Sequence, residues 1–107
     1  MNFEKLINSI IRKVIKQRIE LKKRIRQYSK VTYEIYRRTF CAVDDEDYKK
    51  LEKAFDDALE CQQKLVYKLI IYNKIIKRKF IHIVKNNYLL IKDERTNTTM
   101  YRKKLYF

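Results

Sequence analysis

The chain has 107 residues, and its 27 lysine and arginine residues outnumber its 13 aspartate and glutamate residues to give a net charge of +14. It contains neither glycine nor proline, which excludes glycine-rich phosphate loops and disfavours tight turns, so long helices with few connections are expected. A hydrophobic fraction of 46% excludes a disordered tail, and the length suits one domain rather than two.

The first predicted helix spans residues 2–38, where apolar side chains recur every three or four positions from Phe3 to Tyr36. A second row of side chains widens this stripe at its start: Ile7, Ile11, Ile15 and Ile19. A stripe this wide needs more than one neighbouring helix, so the sequence predicts self-association or docking to a partner.

A second helix is predicted over residues 45–86, after a connection at residues 39–44 that shows no helical stripe. Asp44 or Asp45 is suited to cap its first turn, and Asn86-Asn87 is suited to end it. Its apolar seam follows heptad spacing: Tyr48, Leu51, Phe55, Ala58, Gln62, Leu65, Leu69, Tyr72 and Ile76. This spacing is typical of a helix that packs along its length against another helix.

The short connection predicts that the two helices pair as a long antiparallel hairpin, which forms a first region of residues 1–87. Folding the chain about the connection pairs positions whose numbers add to about 86. Val31 is then expected opposite Phe55, and Tyr28 opposite Ala58. A two-helix hairpin has little interior of its own, so an oligomer is expected.

Residues 88–107 are predicted to form a small C-terminal appendage. The preferred interpretation is a β-hairpin with strands near residues 88–92 and 99–106, because a short apolar run and a basic, aromatic run flank a polar segment. A third short helix or an extended arm is an open alternative. The predicted fold class is therefore mainly all-α, a long helical hairpin followed by this appendage.

Charge changes sign along the chain. Residues 1–43 carry 12 basic and 3 acidic side chains, residues 44–60 carry 3 and 8, and residues 61–107 carry 12 and 2. The basic flanks indicate an anionic partner, for which nucleic acid is the leading candidate and an anionic membrane surface the next.

The sequence thus predicts a small, non-enzymatic protein that binds nucleic acid or a ribonucleoprotein through basic helix faces, with DNA and RNA both open. The predicted contact residues are all basic: Arg12, Lys13, Lys16, Lys22, Lys23, Arg26, Lys74, Lys77, Arg78, Lys79, Arg102, Lys103 and Lys104. The aromatic side chains that alternate with cations from Tyr101 to Phe107 are suited to stacking on unpaired bases, although packing of one strand face on the helices is the preferred interpretation. Charged residues also fill any solvated helix face, and no base-reading motif is present.

An acidic row at every fourth position of the second helix indicates a protein-docking surface: Glu52, Asp56 and Glu60. Like charges at this spacing repel one another, and a basic partner would relieve that repulsion. The alternative function is therefore a structural or adaptor protein that docks a protein partner through the helical seam or this acidic tip.

Catalytic and metal-binding chemistry is not predicted. His82 is the only histidine, and Cys41 and Cys61 are not placed to complete a zinc site with it. Residues 18–23 resemble part of the first helix of helical chorismate mutases, but the acidic and arginine residues that begin the next helix of that family are absent. We therefore expect neither an enzyme activity nor a cofactor or metal.

Composition also gives expectations about source and location. Abundant lysine and isoleucine with no glycine or proline are typical of AT-rich coding DNA, as in viruses and reduced genomes. Two cysteines without a secretory segment favour an intracellular location such as cytoplasm, nucleoid or virion. The longest apolar run, residues 69–72, is too short to cross a bilayer.

Overall fold

The structure, a computed structural model, describes residues 2–106. This part of the chain is mostly helical and ends in a three-stranded antiparallel sheet, which confirms the mainly helical prediction. The elements in chain order are α1 (Phe3–Thr39), α2 (Asp45–Ile76), β1 (Phe80–Lys85), β2 (Tyr88–Asp93) and β3 (Thr99–Lys104).

The chain divides into two compact units. The first, here called the sheet unit, combines residues 2–15 with residues 70–106 and contains the sheet. The second, here called the hairpin unit, is the continuous segment of residues 16–69. The two ends of the chain therefore build one unit, and the middle builds the other.

Asp44 caps the start of α2 in the hairpin unit, as its sequence position predicts. The Asp47 N–H donates to Asp44 Oδ1 at 2.8 Å, and the Val43 N–H donates to Asp47 Oδ2 at 3.1 Å. The first bond satisfies a donor that a helix start leaves open, and the second ties the residue before the cap to the first turn; a cap of this kind stabilises by about 1 kcal/mol. The acidic first turn also suits the positive end of the helix dipole.

The α2 seam is half-buried over most of its length in the hairpin unit, but the predicted pairing of Val31 with Phe55 is wrong. Val31 is 51% exposed, and the Phe55 ring lies 6.0 Å from that of Tyr36 instead. Thr32 takes the buried position, because its hydroxyl donates to the Tyr28 carbonyl at 2.7 Å and leaves no unsatisfied polar group.

The second helix ends at Ile76, and the predicted extension to residue 86 is wrong. Arg78 adopts a left-handed conformation with φ 57°. Its N–H donates to the Ile75 carbonyl at 3.1 Å, and the Lys79 N–H donates to the Lys74 carbonyl at 2.9 Å. These two bonds form a Schellman motif, which normally uses glycine at the left-handed position. A glycine-free chain gives no sequence signal for this helix end.

Residues 80–85 form strand β1 in place of the predicted last turns of α2. The segment is rich in β-branched residues, which favour strands over helices. Asn86 and Asn87 follow with φ of 51° and 63°, the left-handed pair of a type I′ turn. Asparagine tolerates this conformation better than most residues, so the chain makes a tight hairpin without glycine.

The sheet has the order β1-β2-β3, with both pairs antiparallel. The β2–β3 pair confirms the β-hairpin predicted near residues 88–92 and 99–106, although β3 ends at Lys104. The ladder between these strands is irregular at Ile91/Lys92, where a bulge shifts the register.

The core of the sheet unit lies between its helical segments and one face of the sheet. Buried apolar side chains come from all three parts: Ile7, Ile10 and Val14 of α1, Tyr72 and Ile75 of α2, Leu89 and Ile91 of β2, and Leu105. Alternate residues of β2 are buried, as expected for a strand with one face against a core. Within residues 2–106, neither helix is long and apolar enough to cross a membrane.

Candidate nucleic-acid interface

Positive charge is concentrated in the sheet unit. Residues 1–15 and 70–107 together carry 13 basic and 3 acidic side chains, a net charge of +10. Residues 16–69 carry 14 basic and 10 acidic side chains, a net charge of +4. The sheet unit therefore carries most of the net positive charge of the chain.

One face of the sheet points away from the core and carries cations without acids. Leu89, Ile91 and Asp93 are buried on the inner face. Side chains alternate between the faces of a strand, so the other β2 residues, Tyr88, Leu90 and Lys92, lie on the opposite face. Residues directly opposite one another in antiparallel strands share a face. The strand registers then define this outer sheet face in three rows: Lys85, Tyr88 and Lys104; Ile83, Leu90 and Arg102; Ile81, Lys92 and Thr99.

The outer sheet face combines four cations, one aromatic ring and an apolar patch. The guanidinium carbon of Arg102 lies 5.0 Å from the centre of the Tyr88 ring, and the Lys104 ammonium lies 5.7 Å from that of the neighbouring Tyr106. Cation–π contacts of this length orient the basic groups over the rings. Aromatic rings and cations side by side are the elements from which single-stranded nucleic acid sites are built.

Two of the three acids of the sheet unit are neutralised by contacts with bases. Glu4 accepts a hydrogen bond from Arg78 at 3.3 Å, and Arg78 also donates to the Asn8 side chain. Asp93 accepts a hydrogen bond from Lys74. Arg78 and Lys74, both predicted contact residues, thus hold α1 and β2 against the end of α2.

A cleft of about 260 Å³ lies beside the end of α2 in the sheet unit. Its charged lining residues are Lys74, Lys77, Lys79, Asp93, Glu94 and Arg95. Asp93 organises one wall, because its Oδ1 accepts the Arg95 N–H at 2.9 Å. The hydrogen bond from Lys74 and the backbone bond from Arg95 together hold the pKa of Asp93 below its ordinary value.

The structure brings several predicted contact residues together in the sheet unit. Lys74, Lys77 and Lys79 line the cleft, while Arg102 and Lys104 lie on the outer sheet face. The other predicted contact residues of this unit are also exposed. Arg12 and Lys13 lie on α1, and Lys103 lies on β3 on the face opposite to the outer sheet face.

The hairpin unit holds the remaining predicted residues, all of them exposed. The basic ones lie on α1: Lys16, Lys22, Lys23 and Arg26. The acidic ones lie on α2: Glu52, Asp56 and Glu60. Lys23 pairs with Glu20 at 3.4 Å, and Glu60 pairs with Lys64 at 3.4 Å, as ordinary neighbours one helical turn apart.

Sequence reasoning missed Lys85, Tyr88, Lys92 and Arg95. The predicted helix over residues 45–86 includes Lys85, whereas the structure places this lysine in β1 on a sheet face. The signal that could have revealed it is the β-branched run of residues 81–84 followed by an Asn-Asn pair, which resembles a strand and a type I′ turn.

His82 lies on the inner face of β1, where its ring centre is 6.4 Å from that of Phe3. Cys41 and Cys61 are free and exposed. In the part of the chain that the structure describes, no three acidic, histidine or cysteine side chains are close enough to hold a metal ion. No family model matches this chain, and neither a similar curated protein nor a similar solved structure was found.

Proposed function

We propose that the chain binds nucleic acid without catalysing a reaction, and that the sheet unit supplies the contact surface. The observation that carries the proposal is the outer sheet face, on which residues 80–104 place four cations and no carboxylate. Lys85, Lys92, Arg102 and Lys104 lie around the half-buried Tyr88 and Leu90 at the centre of this face.

Nucleic acid suits this surface for two physical reasons. Each cation that contacts a phosphate releases a condensed counterion, and this release favours binding at low salt. The Tyr88 ring can stack on an unpaired base when the base displaces the Arg102 guanidinium that lies over it, and stacking on an aromatic ring contributes about 1–3 kcal/mol per base. A single strand is therefore the preferred ligand, with the Lys74 cleft as a second basic surface in the same unit.

The test compares fluorescence anisotropy of labelled DNA and RNA, single-stranded and duplex, in a salt series. The full chain is compared with a variant in which Lys85, Lys92, Arg102 and Lys104 are replaced by glutamine. Four lost phosphate contacts should reduce the slope of log K against log salt by about three. Binding to a single strand should weaken more than binding to a duplex.

A matched control removes the same charge from the hairpin unit, by replacing Lys49, Lys50, Lys53 and Lys64 with glutamine. The control should keep most of the salt slope, because these side chains are exposed and lie among the acids of α2. Equal losses in both variants would show that net charge alone drives binding. Absence of salt-sensitive binding in the unaltered chain would refute the proposed function.

A second candidate function is an adaptor that docks a protein partner through the hairpin unit. The observation that favours it is the connection between the helices, where Phe40 and Val43 are 74% and 89% exposed. These apolar side chains adjoin the acidic start of α2. Capture of a protein partner that resists nuclease, and that is lost when Glu52, Asp56 and Glu60 are changed to lysine, would support this candidate.

A further inference from the structure

The two edges of the sheet differ in how they are protected. β3 has a bulge beside Ile91/Lys92 and carries three consecutive cations, Arg102, Lys103 and Lys104. Bulges and edge charges are the devices that prevent a sheet edge from pairing with another strand. β1 has no bulge, because its six pairs with β2 run without a break, and its one lysine, arginine or carboxylate side chain is Lys85 at the end of the strand.

The turn at Asn86 and Asn87 fixes which backbone groups of β1 remain open. In a two-residue hairpin the flanking residues, Lys85 and Tyr88, exchange both hydrogen bonds. Hydrogen-bonded positions alternate along a strand, so Ile83 and Ile81 also bond to β2. The N–H and carbonyl groups of the intervening residues, Phe80, His82 and Val84, point away from the sheet.

The side chains of β1 leave this edge accessible. Ile81 is 46% exposed on the outer sheet face, and Val84 is 47% exposed on the inner face. Among residues 2–106, β2 is the strand that pairs with β1. Open backbone groups flanked by exposed β-branched side chains form a template for one more strand.

We propose that β1 of a second copy occupies this edge, antiparallel and about a two-fold axis at His82 or Ile83. A two-fold axis perpendicular to the sheet keeps each face on its own side, so the outer sheet faces of both copies become one surface. The open groups of β1 then pair with the same groups of the second copy. With the axis at His82, residues 80–84 of one copy pair with residues 84–80 of the other. With the axis at Ile83, residues 81–85 of one copy pair with residues 85–81 of the other.

A second copy fits this edge because residues 80–84 carry no lysine, arginine or carboxylate that would repel the same strand of the other copy. Ile81 and Ile83 of both copies would adjoin at the centre of the joined face, covering apolar surface that each copy exposes alone. The cations of β2 and β3 would lie on both flanks. The pairing extends the existing sheet, but it brings two units of net charge +10 together, so repulsion should weaken it at low salt.

The experiment measures association of the full chain by sedimentation equilibrium at 0.1 M and 0.5 M salt. We expect a monomer–dimer equilibrium that tightens as salt rises, which is opposite to the salt effect expected for nucleic acid binding. His82→Pro should weaken the dimer at least tenfold, because it removes an outward N–H and leaves the β1–β2 ladder intact. Lys104→Pro at the opposite edge should change association less than twofold.

Cross-linking gives a second measurement that does not depend on proline. With Cys41 and Cys61 replaced by serine, either His82→Cys or Ile83→Cys should form a disulfide dimer on mild oxidation. Directly opposed residues of antiparallel strands are about 4.5–5.5 Å apart between Cα atoms, within the range for a disulfide. Lys104→Cys should not cross-link.

A monomer at both salt concentrations would overturn the inference, as would a dimer that His82→Pro leaves unchanged and that neither cysteine cross-links. The inference does not rest on the proposed function. Loss of the dimer in His82→Pro with no nucleic acid binding by the unaltered chain would leave the self-association surface and remove the proposed ligand.

Discussion

Asp93 shows how one carboxylate at the end of a strand connects several parts of the sheet unit. One oxygen accepts the Arg95 N–H, and the other meets the Lys74 ammonium on α2. The Asp93 carbonyl accepts the Asn97 N–H at 2.9 Å, so the same residue also begins the turn that leads to β3. Its hydrogen bonds favour the charged form and keep its pKa low.

The first prediction concerns Asp93→Asn and pH. Because the folded-state pKa of Asp93 lies below the ordinary value of 3.8, its charged form stabilises the fold above that pH. This contribution is lost as the pH falls through the folded-state value. Urea unfolding should show the variant to be less stable at pH 7, with a difference that shrinks at pH 3 and below. A difference that is constant with pH would contradict this account.

At the scale of the element, the turn between β1 and β2 gives the second prediction. Asn87 has φ 63°, a region that costs glycine nothing and most other residues about 1–2 kcal/mol. Asn87→Gly should raise the free energy of unfolding by about 0.5 kcal/mol, and Asn87→Ala should lower it by about 1 kcal/mol. Both are measured by urea unfolding at pH 7. The reverse order of the two variants would count against a type I′ turn here.

Local signals explain which elements the sequence could predict. The heptad spacing that predicts α2 and the cap at Asp44 depend on neighbouring residues, and the structure contains both the helix and the cap. The helix end depends on a left-handed Arg78, held by side-chain contacts with Glu4 and Asn8. Those partners are distant in sequence, and no local pattern at residues 77–79 announces the stop.

The candidate site depends even more on pairing over distance. Arg102 is a predicted contact residue and Lys92 is not, and only the register of β2 with β3 places both on one face. Conversely, Arg78 was a predicted contact residue because it lies in a basic cluster, whereas the fold gives it an acidic partner. An anionic ligand therefore stays a prediction from composition, and the choice among the cations required the strand pairing.

At the scale of the whole molecule, the sheet unit needs both ends of the chain. Ile7 of α1 is 3% exposed, and it is in the same compact unit as the sheet. Ile7→Ala should therefore cost about 2–5 kcal/mol by urea unfolding, and it should raise amide exchange in β2, far along the chain. Val43→Ala, at an exposed position of the hairpin unit, should cost less than about 0.5 kcal/mol. Protected β2 amides in the Ile7→Ala variant would contradict this arrangement.

The discontinuity of the sheet unit makes residues 16–69 an insertion in the topological sense. The α2 seam in this segment repeats every seven residues and α1 has apolar side chains every three or four positions, so removal of seven residues from each helix would keep the two apolar stripes in phase. A shorter inserted segment loses less conformational entropy when its two ends are brought together. This entropy cost grows only with the logarithm of the segment's length. The hairpin is thus a segment whose length natural variation could change by whole heptads while the basic sheet stays the same, a modularity that a chain without glycine or proline does not suggest at first sight.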